Sequence, residues 1–182
     1  MNSDSLTLNL LFLSLNHHPQ RAPKKKKKEK KTRLLMALPM QRSLLRSFVQ
    51  SMHEEGIVND DFYQLLAMKE TVRPDYVVRA VTSYCLSAQN LFSHLTYHIC
   101  QPEVDYHQVN TAACEFYART SSIGAEHVKL SCAELIQACQ ENDKEYCSRA
   151  LYWTKNEYSK LRRKFETLVQ MERKIIDLEN GH

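Results

Sequence analysis

The chain has 182 residues, of which 43% are hydrophobic and 25% are charged, close to average usage for one soluble globular domain. This length excludes a large multidomain enzyme. Glycine (3) and proline (5) together fill 8 of the 182 positions, roughly a third of their average share of about 12%, which disfavours a turn-rich β-sandwich or a glycine-looped nucleotide-binding domain and favours long helices.

Positive charge is concentrated near the N-terminus. Residues 1–36 contain nine basic and two acidic residues, whereas residues 37–182 contain 16 basic and 19 acidic residues, a net charge of −3. We therefore expect no nucleic-acid partner for the body of the protein. The run PKKKKKEKKTR has like charges that repel and no apolar period, so we predict a disordered basic extension over residues 1–36 and a helical domain over residues 37–182.

Three roles are open for this extension: a solvated tail, a segment that binds acidic surfaces together with His17 and His18, or a nuclear-import signal. The basic residues that form the candidate signal are Lys24, Lys25, Lys26, Lys27, Lys28, Lys30 and Lys31.

Neither the apolar N-terminal segment nor the cysteines point to export or to a membrane. The segment 6–15 is too short to span a bilayer, and it lacks the basic start and the cleavage site of a signal peptide. The six cysteines form no CxxC pair, and five of them fall on helical patterns. We predict reduced thiols and no membrane partner.

From Pro39 onward, apolar residues recur at spacings of three and four, which predicts helices almost throughout. The first helix ends at Gly56, which can adopt the left-handed conformation of a C-cap. The second helix is short, because it follows an N-cap at Asn59 or Asp60 and must end before Pro74.

The next two helices are longer. The third starts at Asp75 and stops at Pro102, and the fourth is capped by Asp105 and ends or kinks at Gly124. The apolar side of the fourth helix consists of Val109, Ala113, Phe116, Thr120 and Ile123.

The last two helices complete the predicted fold. The fifth has Val128, Cys132, Leu135 and Cys139 on one face. The sixth keeps its three-four alternation from Cys147 to Leu178, and its predicted outer face carries Lys155, Lys160, Arg162, Arg163, Lys164, Glu166 and Glu172. We predict an all-α fold, an antiparallel four-helix bundle of helices three to six with two short N-terminal covering helices. A coiled coil of the sixth helix is the alternative, but the neighbouring helices offer apolar faces for it to fill.

Templates of catalytic and cofactor sites are absent from the sequence. There is no Walker loop, no GxSxG and no HExxH, so we expect no enzyme activity, no cofactor and no metal. His94 and His98 are four residues apart and could present two imidazoles to a metal, but no third ligand is indicated. One surface histidine and one partly buried histidine is the simpler interpretation.

The stretch ACEFYARTSSIGAEHVKLSC, residues 113–132, resembles the signature of plant histidine-containing phosphotransfer proteins. That signature has the form HQLKGSSSSIGA and opens with the phosphoacceptor histidine; residues 120–125, TSSIGA, match its end. Further likeness lies in residues 55–65, 74–77 and 156–168, so that it covers roughly residues 40–178. The resemblance implies the same helical bundle that the periodicity predicts.

Carried over position by position, the resemblance puts Cys114 where the acceptor histidine belongs. Glu115 stands for the family's Gln, Tyr117 for the Lys one turn beyond the acceptor, Ala118 for the Gly that lets a partner approach, and Arg119 for a Ser. In an active member the imidazole takes a phosphoryl group from one receiver aspartate and passes it to another, while the Lys balances its negative charge. A thiol has no imidazole nitrogen and a tyrosine has no cation. The chain thus resembles the pseudo histidine phosphotransfer subgroup, which lacks the acceptor and modulates the phosphorelay of cytokinin signalling.

Helical periodicity places Cys114 about 140° around the helix from the apolar stripe, so we expect it to face solvent. His107 and Ser121, seven residues before and after Cys114, lie at nearly the same angle around the helix, so that the three residues form a line along it. The predicted receiver-docking surface consists of His107, Cys114, Glu115, Tyr117, Ala118, Arg119 and Ser121.

The expected partners are receiver domains of hybrid sensor histidine kinases and of response regulators, in the cytoplasm and the nucleus. Two other functions remain open. The chain could be an active carrier that uses another histidine, for which His107 is the one serious candidate, or a helical scaffold unrelated to phosphorelay.

Overall fold

The computed structural model describes residues 23–180, with side chains from residue 36 onward. Within this range the chain forms no strand and six α-helices: α1 Pro23–Glu54, α2 Asp60–Thr71, α3 Tyr76–Ile99, α4 Tyr106–Ser122, α5 Glu126–Gln140 and α6 Lys144–Glu179. The predicted all-α fold is confirmed. None of these helices combines the length and the apolar character that a membrane span requires.

Helices α3 to α6 form the predicted bundle. Each packs on the next along the chain, and α6 packs back on α3. The ring of Tyr84 lies 6.1 Å from that of Phe165, and the ring of Phe92 lies 5.1 Å from that of Tyr158. Residue numbers therefore fall along α6 as they rise along α3, which makes this pair antiparallel.

The core consists of the apolar residues that the helical spacing predicts. Phe116, Phe165 and Leu135 are fully buried between the bundle helices. Phe62 of α2 stacks on Phe165 with ring centroids 5.6 Å apart, and Met52 of α1 is fully buried. Helices α1 and α2 thus cover the bundle, as predicted.

Helix α1 differs from the prediction at its N-terminal end. We predicted a short helix from Pro39 and no structure over residues 23–36, but the helix begins at Pro23 and continues through Pro39. Proline is well placed at a first helical position, and the Lys, Glu, Leu and Met residues that follow favour helix. A single interior proline removes only one hydrogen bond of a helix this long. Residues 1–22, including the apolar segment 6–15, lie outside the described residues, and the division of the chain at residue 36 stays a prediction.

Glu172 also departs from the prediction, because it was assigned to the outer face of α6 but is 1% exposed. It follows the buried Leu168 by four residues and precedes the buried Ile175 by three, so its position belongs to the inner stripe. Lys69 of α2 donates to its two carboxylate oxygens at 3.1 and 3.4 Å. This nearby cation makes burial of the carboxylate tolerable.

Candidate functional site

Helix α4 is held at both ends by interactions that its sequence predicts. At the N-terminus the carboxylate of Asp105 accepts a hydrogen bond from the backbone N–H of Gln108 at 3.1 Å. At the C-terminus Gly124 has a φ of 72°, and the N–H of Ala125 donates to the carbonyl of Thr120 at 3.1 Å. These two caps set where α4 begins and ends.

The two faces of α4 differ as the periodicity predicts. The inner face consists of the buried Val109, Ala112, Ala113, Phe116 and Thr120. On the opposite face His107, Cys114, Glu115, Ala118 and Arg119 are exposed, and Tyr117 and Ser121 are half-buried. The structure therefore places all seven predicted residues on one side of a single helix. We call this set the α4 face; its role stays a prediction.

Cys114 lies at the centre of the α4 face with its thiol exposed. Its Sγ atom is 3.9 Å from Oδ1 of Asn110, one turn earlier. The neighbouring Cys132 of α5 is buried and donates to the carbonyl of Ala113 at 3.2 Å, and burial raises the pKa of its thiol to about 12. A partner that docks on the α4 face thus meets Cys114 and not the buried thiol behind it.

The only two charged side chains of the α4 face bind each other. Arg119 donates from Nε at 3.0 Å and from Nη2 at 2.8 Å to Oε1 of Glu115. Both side chains are about half exposed. The spacing of four residues allows such a pair on a helix, but the sequence analysis did not identify it. The pair leaves the α4 face close to neutral.

Tyr117 has a charged neighbour from another helix, Lys129 of α5. Lys129 donates to Oε2 of Glu126 at 2.8 Å, and the same oxygen accepts from Nδ2 of Asn59 at 2.7 Å. The hydrogen bond with Glu126 raises the pKa of Lys129, to which the nearby phenol of Tyr117 also contributes. The hydrogen bonds from Lys129 and Asn59 in turn lower the pKa of Glu126.

Sequence reasoning missed this neighbour of Tyr117. The spacing of Glu126 and Lys129 indicates an ion pair, but only the packing of α5 against α4 brings that pair beside Tyr117.

The outer residues of the predicted line differ in their surroundings. Ser121 has a buried hydroxyl oxygen with no hydrogen-bond partner among the described residues. His107 is exposed in the first turn of α4, and seven residues separate it from Cys114, about 10 Å along the axis of a helix. The imidazole of His107, the alternative acceptor considered in the sequence analysis, therefore lies two turns away from Cys114.

Other features of the described chain lie apart from the α4 face. The rings of His94 and His98 on α3 are 4.3 Å apart, the first exposed and the second half-buried. Between residues 23 and 180 no cluster of three or more His, Cys, Asp or Glu residues is arranged to hold a metal ion. A cavity of about 750 Å³ between α1, α2 and the end of α6 contains none of the seven residues.

Comparison with known proteins relates the chain to phosphorelay proteins. No protein-family model matches it. It is 30% identical over 141 residues to histidine-containing phosphotransfer protein 2 of Oryza sativa subsp. japonica, a match that covers 77% of this chain and 95% of that protein. It is 22% identical over 126 residues to pseudo histidine-containing phosphotransfer protein 2 of the same species, covering 69% of this chain and 82% of that protein.

Solved structures of histidine-containing phosphotransfer proteins have the same fold as this chain. A histidine-containing phosphotransfer protein from rice superposes with a TM-score of 0.72 at 30% identity, covering 76% of this chain and 98% of that chain. One from maize superposes with a TM-score of 0.71 at 33% identity, covering 74% and 99%. The similarity therefore concerns the whole helical bundle and not one helix pair.

Proposed function

Because the chain belongs to the family of histidine-containing phosphotransfer proteins, we propose that it is a pseudo-phosphotransfer protein, which binds receiver domains through the α4 face without carrying a phosphoryl group. The observation that carries the proposal is the exposed thiol of Cys114 at the centre of that face. The flanking TSSIGA stretch aligns this position with the acceptor histidine of the family.

The surroundings of Cys114 also lack the charge that phosphoryl transfer requires. A phosphoryl group in transfer carries negative charge, which carriers and enzymes balance with a positioned cation. Here Tyr117 occupies the position of the family's lysine, and Arg119 is bound to Glu115. Ala118 adds a methyl group where the family has glycine.

His107 offers the alternative, an active carrier with a displaced acceptor. Its imidazole is exposed, but the residues one turn further on are Asn110 and Thr111, which supply no cation. Thr111 donates its hydroxyl hydrogen bond to the carbonyl of His107. The local chemistry therefore favours a docking protein over a carrier.

The proposal includes partners and location. Receiver domains of hybrid sensor histidine kinases and of response regulators are the partners, and the relay is that of cytokinin signalling. Binding to a receiver without accepting its phosphoryl group makes the chain a competitor of active carriers. The protein acts in the cytoplasm and the nucleus, with the lysine run of residues 24–31 as the import signal.

A cysteine footprint tests the docking site with the native chain. Cys100 and Cys114 are exposed, whereas Cys132, Cys139 and Cys147 are buried, and burial raises the pKa of all three buried thiols. A maleimide reagent should therefore label Cys100 and Cys114 first. A saturating receiver domain should slow labelling of Cys114 and leave Cys100, at the end of α3, unchanged. Equal labelling of Cys114 with and without receiver would place the interface elsewhere.

A matched pair of substitutions tests the same docking site by its effect on the affinity for the receiver domain. Ala118→Glu puts a charged side chain at the centre of the α4 face and should weaken receiver binding by at least about 1–2 kcal/mol through steric and desolvation costs. Ala67→Glu, at an exposed position of α2, is the control and should leave the dissociation constant unchanged. If both variants bind like the unaltered chain, the α4 face is not the docking surface.

A further inference from the structure

We propose that the α4 face selects receiver domains in their unphosphorylated state. This inference rests on the proposed function, because it concerns what the same surface recognises in its partner. It follows from how the charges around Cys114 are distributed and neutralised.

The position beside Cys114 has no cation. With 3.6 residues per turn, the side chain three residues on leaves the helix about 60° from Cys114, and the side chain five residues on leaves it about 140° away. The side chain of Tyr117 therefore lies beside Cys114, whereas that of Arg119 leaves the helix near the edge of the α4 face. Arg119 is also bound through two donors to Glu115.

A cation from another helix that lies near Tyr117 is paired as well. Lys129 lies near Tyr117, but its ammonium group is 2.8 Å from Oε2 of Glu126, which also accepts from Asn59. The carboxylate of Glu115, one residue after Cys114, is the group that Arg119 binds. A partner that docks here finds both Arg119 and Lys129 already paired with carboxylates.

Phosphorylation of the receiver should weaken its binding to the α4 face. A phosphorylated aspartate brings a dianionic group to the centre of the interface, and docking removes water from it. Burial of a charged group is unfavourable unless a counter-charge or donors replace the water. At position 117 the α4 face supplies no counter-charge and only the single phenol O–H of Tyr117 as a donor, so the unphosphorylated receiver binds more tightly. The chain then binds mainly those receivers that have not yet accepted a phosphoryl group.

Titration of one receiver domain in two states tests this selectivity. The receiver is measured with Mg²⁺ alone and with Mg²⁺ and beryllofluoride, which mimics the aspartyl phosphate. We expect the dissociation constant to be at least fivefold larger with beryllofluoride. Equal affinities, or tighter binding with beryllofluoride, would overturn the selectivity while leaving receiver docking intact. Absence of binding in both states would overturn the proposed function itself.

Two variants at position 117 distinguish an effect of charge on the affinity ratio from an effect of receiver conformation. Tyr117→Lys restores a cation beside Cys114 and should bring the ratio of the two dissociation constants towards one. Tyr117→Phe, which keeps the ring, removes the hydroxyl donor and adds no charge, is the matched control and should keep at least the full ratio. If Tyr117→Lys and Tyr117→Phe give the same ratio, the selectivity does not come from the missing cation and the inference is wrong.

Discussion

The thiol of Cys114 and the imidazole of a carrier differ in how each can hold a phosphoryl group. The imidazole supplies a nucleophilic nitrogen, and the lysine one turn further on balances the charge of the product. On the proposed alignment this chain has neither contribution, because Cys114 has no ring nitrogen and Tyr117 has no cation. The proposed loss thus extends over two positions of the α4 face.

A restoration series tests this interpretation. Cys114→His alone should remain nearly inactive, because Tyr117 leaves the phosphoryl group without a cation and Ala118 keeps a methyl group in the way of the partner. Cys114→His combined with Tyr117→Lys and Ala118→Gly should acquire acid-labile phosphate from a phosphorylated receiver. The measurement is radiolabel on the chain, with melting curves as the control for folding. Equal labelling of the single and the triple variant would show that positions 117 and 118 are not limiting.

Sequence reasoning gave the orientation of the α4 face but not its electrostatics. Exposure of Cys114 and burial of Phe116 follow from helical periodicity, which is a local property of the chain. The ion pair of Lys129 with Glu126 follows from their spacing within α5, but the hydrogen bond from Asn59 to Glu126 and the approach of Lys129 to Tyr117 depend on tertiary packing. No spacing within one helix encodes those two contacts.

At the scale of the elements, two glycines lie where the covering helices approach the bundle. Gly56 and Gly124 have φ values of 70° and 72°. A Cβ atom at position 124 would lie 2.5 Å from the backbone nitrogen of Phe62 and 2.6 Å from Oδ1 of Asn59, whereas one at position 56 would lie 3.1 Å from the side chain of His127. The α4–α5 turn thus fits against the start of α2 only without a side chain.

The two glycines should therefore respond differently to the same substitution. Gly124→Ala should lower the free energy of unfolding by more than about 2 kcal/mol, because backbone strain adds to a clash with Phe62. Gly56→Ala should cost only about 1 kcal/mol, since it adds left-handed strain next to a side chain that can move. Chemical denaturation measures both. Equal costs would show that the close approach of the α4–α5 turn to α2 is not required.

The ion pair between α2 and α6 carries a second prediction. Lys69→Met leaves the carboxylate of Glu172 buried without its counter-charge, which should destabilise the protein by about 3 kcal/mol. The double variant Lys69→Met, Glu172→Met removes the buried charge and should recover most of that loss. Denaturant midpoints of the two variants distinguish the outcomes. A double variant no more stable than the single one would mean that Lys69 acts through packing and not through charge.

Helices α1 and α6 show why some element-level predictions fail. No structure was expected before the first predicted helix because the lysine run has like charges and no apolar period, yet α1 begins at Pro23 and includes that run. Glu172 was assigned to the outer face, although its position in the three-four alternation is an inner one. The helix propensity of lysine explains the first difference, and the period itself explains the second.

At the scale of the whole molecule, the buried hydrophobic core of the part whose side chains are described, residues 36–180, is built from residues between 45 and 175. Removal of residues 1–36 takes away none of these side chains, so we expect an almost unchanged melting temperature and receiver affinity. The shortened chain should lose its nuclear bias if the lysine run acts as an import signal. Fluorescent fusions of the full and the shortened chain measure this distribution. A large drop in melting temperature on truncation would show that residues 1–36 contribute to the stability of the fold.

The central claim is that this chain docks on receivers without carrying phosphate. The most direct test mixes a radiolabelled phospho-carrier with an unphosphorylated receiver and increasing amounts of the chain, and follows the label on one gel. We predict that transfer to the receiver slows in proportion to receiver occupancy while the band of the chain stays unlabelled. Label in the band of the chain, or transfer that proceeds at the same rate at every concentration of the chain, would contradict it.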